Sequence, residues 1–281
     1  MSQPFYNSVF RPDLFKDQTF LITGGGSGIG RAVAFELASL GANLAIVGRD
    51  EKKLLKVQDE LSQRDVKVSH YVCDIRQEEL VKKTVTAAVQ DFGKIDGLVN
   101  NAGGQFFSPA SKISANGWDA VVRNNLLGGF LFAREVYTQS MEKSGQGAIV
   151  NMLADMWTGM PGMAHSGAAR AGMWNLTQTL AYEWAPIRVN AVAPGWIASS
   201  GMDQYPPEAK PIIEGLPKLV PAGRLGTEAE VAAAIVFLLS PAAAFISGSE
   251  IRIDGAALNR RENWKVSPKG KTSKFEGFIS P

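Results

Sequence analysis

One run of small residues constrains this chain more than any other: the glycine-rich segment from Thr23 to Gly30. It follows a short apolar run, residues 19–22, that is typical of a buried strand, and it precedes a helical pattern that extends from Arg31 to about Leu40. So many glycines cost conformational entropy unless the backbone uses their freedom. A strand, a glycine turn and a helix in that order predict a cradle in which the helix N-terminus binds a phosphate group.

Composition narrows the class of protein. The 281 residues are 45% hydrophobic and 20% charged, which is ordinary for a globular chain, and a net charge of +2 predicts neither a nucleic acid nor a membrane as partner. The single cysteine, Cys73, excludes an internal disulfide and fits a reducing compartment. Residues 1–16 do not resemble a signal peptide and no apolar run is long enough to span a bilayer, so we expect a cytoplasmic protein. We predict no metal site.

Strand and helix patterns alternate from residue 18 to residue 257. Further strands are predicted at 42–48, 66–72, 95–99, 147–152, 187–192 and 250–253, and helices at 51–63, 78–92, 118–141, 164–185 and 228–239. This alternation predicts an α/β fold: a single-domain, doubly wound parallel sheet (Rossmann type) of about seven strands with helices on both faces. Residues 1–17 are predicted to be an N-terminal arm, 194–224 a substrate loop or lid, and 258–281 a C-terminal tail.

Ligands of such a sheet bind at the carboxyl ends of its strands. Arg49 follows the second strand and favours the 2′-phosphate of NADP(H) over NAD(H), whereas Asp50 either binds a ribose hydroxyl or caps the next helix. Asp74 either accepts a hydrogen bond from an adenine amino group or caps the helix at Glu78. The predicted cofactor is therefore NADP(H), and the turns supply these predicted ligands: Thr23, Gly24, Ser27, Gly28, Ile29, Gly30, Arg49, Asp74, Ile75, Asn101, Ala102 and Gly103.

With these residues in view, residues 17–257 resemble the short-chain dehydrogenase/reductase family. The resemblance rests on the glycine motif and on the segments 101–103, 188–195, 224–228 and 254–255. It implies that Asn125 is the active-site asparagine, and that Ile197 and Ser199 hold the nicotinamide carboxamide beside Pro194 and Gly195. It also implies a homo-oligomer, a dimer or a tetramer, in which the helices at 118–141 and 164–185 form a four-helix contact.

The sequence departs from the family pattern at the catalytic positions. The family's Tyr-x-x-x-Lys motif should precede Ala171, and the chain has Ser166 and Arg170 there. The family's catalytic serine should end the fifth strand, where the chain reads Met-Leu-Ala-Asp at 152–155. A narrower resemblance, carried by residues 103–106 and 165–172, is to peroxisomal-type trans-2-enoyl-CoA reductases, to 2,4-dienoyl-CoA reductases and to bacterial proteins of citronellol or citronellal oxidation. It implies NADPH and an acyl-CoA-like or branched-chain small-molecule substrate.

These substitutions suit one kind of reaction better than another. Serine is a poor acid and arginine stays charged, so a ketone or alcohol substrate fits the site badly. A conjugated thioester collects charge on its oxygen and needs fixed donors more than a strong acid. Ser166, Asn125 or backbone N–H groups are the predicted donors, and Arg170 is predicted to hold the nicotinamide ribose. His165 either donates a proton or makes a structural hydrogen bond at the start of its helix.

The leading interpretation is an NADPH-dependent reductase of an enoyl-CoA-like substrate. The alternatives are an alcohol or aldehyde dehydrogenase of the citronellol type, which needs an acid–base group, and a catalytically silent NADP(H)-binding protein. Asp155 is either a pocket acid or the start of a loop, and Tyr182 is predicted to pack. The methionines and the tryptophan at 152–163 form either an adaptable apolar pocket or ordinary core.

Overall fold

Seven parallel strands form the central sheet of the computed structural model, which describes residues 5–6, 10–199, 210–260 and 270–279. The strands are β1 (Phe5–Tyr6), β2 (Thr19–Thr23), β3 (Asn43–Gly48), β4 (Val68–Val72), β5 (Gly97–Asn100), β6 (Ala148–Met152), β7 (Arg188–Pro194), β8 (Ile197–Ala198), β9 (Gly226–Thr227), β10 (Glu250–Ile253) and β11 (Phe278–Ile279). The described residues thus form eleven strands in all, and β1, β8, β9 and β11 lie outside the central sheet. The sheet order is β10-β7-β6-β5-β2-β3-β4, which confirms the predicted doubly wound fold. Because the order reverses between β2 and β5, the carboxyl ends of these two strands border a crevice.

Helices cover both faces of this sheet. They are α1 (Gly28–Ser39), α2 (Glu51–Leu61), α3 (Glu78–Phe92), α4 (Ala115–Val122), α5 (Gly128–Val136), α6 (Glu142–Ser144), α7 (Ala164–Glu183), α8 (Lys210–Gly215) and α9 (Glu228–Leu239). Side chains of a strand point alternately to the two faces. Phe20 and Ile22 of β2 belong to the core that includes α1 and α9, whereas Leu21 belongs to the core that includes α3 and α5.

The helical segment predicted at 118–141 is longer in the structure. It runs from Ala115 to Ser144 and contains two stretches of π-helix, Arg123–Leu127 and Tyr137–Met141. Its N-cap is Ser114, whose hydroxyl accepts from the Gly117 N–H at 3.1 Å. This cap precedes the first apolar residue of the pattern, and the predicted start is therefore too late. π-Helical turns often occur at functional sites, and the first one carries Asn125.

Residues 194–224 hold more regular structure than their sequence pattern indicates. They contain β8, α8 and a 3₁₀ turn at Leu216–Leu219, and β8 pairs in parallel with β9. These elements span two to six residues and are too short to give a periodic signal. The part of this predicted loop at 200–209 lies outside the described residues.

The two ends of the described chain meet. β1 and β11 form an antiparallel pair, and the ring of Phe278 lies 4.4 Å from the Arg31 guanidinium of α1. Phe15, near the N-terminus, is fully buried and packs edge-on against Phe20, with ring centroids 4.9 Å apart. The Arg224 guanidinium donates to two carbonyl oxygens of residues 272–273. The tail is therefore tied to the body at several points.

One predicted packing residue is on the surface. Tyr182 is 88% exposed, so the prediction that it packs within the chain is wrong. Small residues lie on several sides of α7, and its sequence therefore does not indicate which face is buried. Among the helices that the structure describes, none has both the length and the apolarity to cross a membrane.

Candidate active site

The glycine turn is shaped by contacts that leave no room for side chains. Gly24 has φ +71°, a backbone conformation that favours glycine. A Cβ on Gly30 would lie 2.2 Å from the Gly24 carbonyl oxygen and 2.5 Å from Asn101 Nδ2. α1 begins directly after Ser27, whose side chain makes no capping hydrogen bond to the described residues. The first N–H groups of α1 therefore point towards a ligand position.

A cleft of about 410 Å³ opens at this turn, next to the point where the strand order reverses. Seven of the predicted cofactor ligands line it: Gly24, Ser27, Arg49, Ile75, Asn101, Ala102 and Gly103. Its size, its glycine walls and the adjoining helix N-terminus fit a dinucleotide. The described residues contain no group of three His, Cys, Asp or Glu side chains that could hold a metal ion.

Two cationic side chains line the adenosine end of the cleft. Arg49 was predicted, and Lys53, four residues on in the first turn of α2, was missed although its spacing places it beside Arg49. Asp50 caps α2, since its Oδ1 accepts from the Lys53 N–H at 3.2 Å, and this confirms the capping alternative. Positive charge is therefore available for a 2′-phosphate.

Two predicted ligands point elsewhere. The Thr23 hydroxyl accepts from the N–H groups of Asn101 and Ala102, both at 3.0 Å, so it shapes the turn after β5. The Asp74 carboxylate pairs with Arg76 at 2.6 Å, and this contact lowers the pKa of Asp74 to about 2. Asp74 does not cap α3, which starts after Gln77 without a side-chain cap, so that alternative is wrong.

The predicted residues at the end of β7 and just beyond it do not line this cleft. Pro194 ends β7, and a Cβ on Gly195 would lie 2.9 Å from Asp254 Cα. Ile197 is buried and directs its Cδ1 towards Gly226. Ser199 is the last described residue before the gap at 200–209.

Asn125 holds a loop in place. Its Nδ2 donates to the Gly104 carbonyl at 2.7 Å, and its Oδ1 accepts from the Gly104 N–H at 3.1 Å. The side chain is 2% exposed, and both of its polar atoms are engaged. In this structure Asn125 therefore anchors Gly104 with its oxygen and with one of its two N–H donors.

Ser166 and Arg170 lie one turn apart on α7 and are both buried. The Ser166 hydroxyl donates to Gln105 Oε1 at 2.5 Å. Arg170 Nη1 donates to the Met152 carbonyl at 2.5 Å, and a Cβ on Gly103 would lie 2.6 Å from Arg170 Nη2. Burial lowers the pKa of Arg170 to about 10, so the guanidinium still carries its charge at neutral pH. Arg170 is thus a buried cation beside Gly103, which lines the cleft.

His165 is fully buried beside this pair. Its Nδ1 accepts from the Ser166 N–H at 2.8 Å, so in the neutral ring the proton is on Nε2. Nε2 is buried and has no hydrogen-bond partner among the described residues. The ring of Phe106 meets the His165 ring edge-on, with centroids 4.5 Å apart. His165 thus makes the expected bond at the helix start and keeps one donor unused.

The methionine cluster is divided between core and surface. Met152, Met156 and Met163 are buried, Met160 is half-buried, and Trp157 is 38% exposed and meets Trp174 edge-on. Most of the cluster is therefore core.

Asp155 gives a testable pH dependence. Its Oδ1 is buried without a partner among the described residues, and burial, followed by the charge of Asp254, raises its pKa. The raised pKa means that the folded protein favours the protonated carboxyl of Asp155. Its contribution to stability is therefore fully present at pH below the unfolded-state pKa. This contribution is lost as the pH rises through the folded-state pKa. We expect Asp155→Asn to raise Tm by roughly 2–4 °C near neutral pH and to have no effect near the ordinary aspartate pKa. Thermal unfolding at several pH values measures this, with exposed Asp119→Asn as control; a Tm gain that does not depend on pH would contradict it.

The fold, the glycine cradle and the cleft together define a dinucleotide-binding α/β protein. A family model described as Enoyl-(Acyl carrier protein) reductase matches residues 24–256. The chain belongs to this short-chain dehydrogenase/reductase family of oxidoreductases.

Three known proteins illustrate the relationship. A probable 2,4-dienoyl-CoA reductase [(2E)-enoyl-CoA-producing] of Bacillus subtilis (strain 168) is 38% identical over 239 residues, 84% of this chain and 94% of the relative. The solved structure of the citronellol catabolism dehydrogenase AtuB of Pseudomonas aeruginosa PAO1 is 57% identical with a TM-score of 0.81, covering 90% of this chain and 99% of that one. The solved structure of a putative NAD(P)-dependent gluconate 5-dehydrogenase of Beutenbergia cavernae, with NADP bound at low occupancy, is 30% identical with a TM-score of 0.82. The match covers 89% of this chain and 100% of that one.

Proposed function

We propose that this protein is an NADPH-dependent reductase of a conjugated, enoyl-CoA-like thioester. The observation that carries the proposal is the Ser166–Gln105 hydrogen bond, at the position where the family has its catalytic tyrosine. An amide can stabilise charge on an oxygen, but neither the amide nor the buried hydroxyl is an acid that would protonate an alkoxide. The dienoyl-CoA reductase relative at 38% identity supports the same class of substrate.

The residues of the chain have separate roles in this proposal. The α1 N-terminus binds the pyrophosphate, Arg49 and Lys53 bind the 2′-phosphate, and Arg170 donates to the nicotinamide ribose. When bound, NADPH supplies the hydride. Donors beside Ser166 stabilise the negative charge that collects on the thioester oxygen, and solvent can protonate the α-carbon afterwards.

A second candidate is an alcohol or aldehyde dehydrogenase of the citronellol type. The 57% identity to the citronellol catabolism dehydrogenase favours it, and so does the unpartnered Nε2 of His165. This reaction needs a proton donor or acceptor, and an imidazole side chain can serve as either. Under this alternative, His165→Ala would abolish activity.

Turnover assays separate the candidates. NADPH oxidation is measured with trans-2-enoyl-CoAs of several chain lengths, with citronellal and with simple ketones, and NADH serves as a parallel donor. We expect turnover of the enoyl-CoAs only. Turnover of citronellal alone would favour the second candidate, and tight NADPH binding without any turnover would favour a catalytically silent protein.

The cofactor preference has its own test. We expect Arg49→Ala to raise the Kd for NADPH about 10–100-fold, since a hydrogen bond to a charged group contributes roughly 1.5–3 kcal/mol. The Kd for NADH should not rise. Fluorescence titration measures both constants, and Lys52→Ala is a matched control because this exposed lysine does not line the cleft. An equal loss of affinity for the two cofactors would contradict a 2′-phosphate role for Arg49.

A further inference from the structure

The structure restricts which groups can donate to a substrate oxygen. The Asn125 side chain uses its oxygen and one of its two N–H donors on the backbone groups of Gly104, and the residue is almost fully buried. The Ser166 hydroxyl has a single proton, which it donates to Gln105 Oε1. The Ser166 hydroxyl therefore has no O–H left for a substrate, and the one N–H left on Asn125 belongs to a residue that is only 2% exposed. An exposed donor at this position must come from another group.

Gln105 has such donors. Its Oε1 accepts from Ser166, which turns the Nε2 group, with two N–H donors, away from the buried hydroxyl. Nε2 has no hydrogen-bond partner among the described residues, and the side chain is exposed. The neighbours on both sides are fixed: Asn125 holds Gly104, and the Phe106 ring packs against His165. The amide is thus exposed on a loop that is anchored on both sides.

We propose that Gln105 is a catalytic residue that donates from Nε2 to the carbonyl oxygen of the substrate, and that Ser166 is a positioning residue that holds the Gln105 amide. This inference rests on the proposed function and names the donor in it. NADPH would supply the hydride and become NADP⁺. As this hydride bonds to the β-carbon, the carbon–carbon π electrons move towards the thioester and the carbonyl π pair moves to oxygen, giving an enolate. The enolate then takes a proton from water at the α-carbon. A neutral amide donor stabilises the oxygen throughout without transferring a proton.

Two substitutions separate the roles of the two side chains. Gln105→Glu keeps an oxygen for Ser166 and nearly the same shape, but replaces the N–H₂ group with a carboxylate oxygen. Removal of one such donor costs about 10²–10³-fold in kcat in other enzymes, and we expect a loss of about 10²-fold here with an unchanged Kd for NADPH. Ser166→Ala leaves the amide present but unheld, and we expect only about a 10-fold loss. Gln146→Glu, the same change at an exposed turn, is the control and should behave as wild type.

A binding measurement gives a readout that does not depend on turnover. Cinnamoyl-CoA is a conjugated thioester whose absorption shifts to the red when its carbonyl accepts a hydrogen bond. We expect this shift on binding to the wild type with NADP⁺ present, a smaller shift with Ser166→Ala, and none with Gln105→Glu.

The outcomes distinguish this inference from the proposed function. If the wild type reduces enoyl-CoAs but Gln105→Glu stays within about 3-fold of it, or if Ser166→Ala is the more damaging variant, the role of Gln105 is overturned and the proposed function stands. If the wild type reduces no enoyl-CoA, the proposed function fails. The red shift then decides the role of Gln105: its loss in Gln105→Glu supports the role, and an unchanged shift or no bound cinnamoyl-CoA overturns it.

Discussion

Replacing Gly30 by alanine is expected to abolish NADPH binding. The new Cβ would lie 2.2 Å from the Gly24 carbonyl oxygen and 2.5 Å from Asn101 Nδ2. The first of these atoms is backbone, and the second donates to the Thr23 carbonyl at 3.0 Å, so neither can move without opening the turn. We expect the Kd for NADPH to rise more than about 10²-fold and the free energy of unfolding to fall by about 1–3 kcal/mol.

Fluorescence titration and chemical denaturation measure the two effects. Gly215→Ala is a matched control, because its Cβ would meet no atom within 4 Å and its φ is −79°. This control should leave both quantities unchanged. A Gly30→Ala protein that binds NADPH as tightly as the wild type would show that the turn is not the phosphate cradle.

Replacing Arg170 by methionine is expected to remove activity without weakening the fold. Arg170 is 8% exposed, donates to the Met152 carbonyl, and has an Nε without a partner among the described residues. A buried cation with so few partners costs stability, and an apolar side chain of similar length does not. In the proposed role Arg170 donates two charged hydrogen bonds to a ribose, and each contributes roughly 1.5–3 kcal/mol. Their loss is therefore expected to lower kcat/KM by about 10²–10⁴-fold.

Steady-state kinetics and thermal unfolding test this pair of effects. We expect the Tm of Arg170→Met to equal or exceed that of the wild type. Arg170→Lys, which restores the residue that the family pattern has here, should stay within about 10-fold of wild-type activity. Full activity in Arg170→Met would rule out the ribose role, and a large drop in Tm would instead indicate a structural role for the guanidinium.

Much of the architecture follows from local signals in the sequence. The helices predicted at 78–92 and 228–239 begin and end as predicted. For α9 the signal is a capping box, in which Thr227 and Glu230 bond to each other's backbone N–H groups. The glycine turn was found for the same reason, since strand, turn and helix are contiguous in the chain. By contrast, the start at Ser114 was missed because its cap lies ahead of the apolar pattern.

The inner site could not be derived in the same way, because its decisive contacts join distant parts of the chain. Ser166 and Gln105 are 61 residues apart, and Asn125 and Gly104 are 21 apart. Nothing local indicates that Asn125 bonds to both backbone groups of Gly104, or that Gln105 accepts a hydrogen bond from Ser166. The residue types at the site were visible in the sequence, but which donors remain unused depends on the three-dimensional contacts.

The pairing of β1 with β11 has a practical consequence for handling this protein. The ring of Phe278 in β11 packs against Arg31 and Phe35, which belong to the helix whose N-terminus forms the phosphate cradle. An affinity tag inserted directly beside β1 or β11 is therefore attached close to that helix. Tags that are harmless on other enzymes can disturb cofactor binding here, and the untagged protein is the proper reference for every cofactor titration.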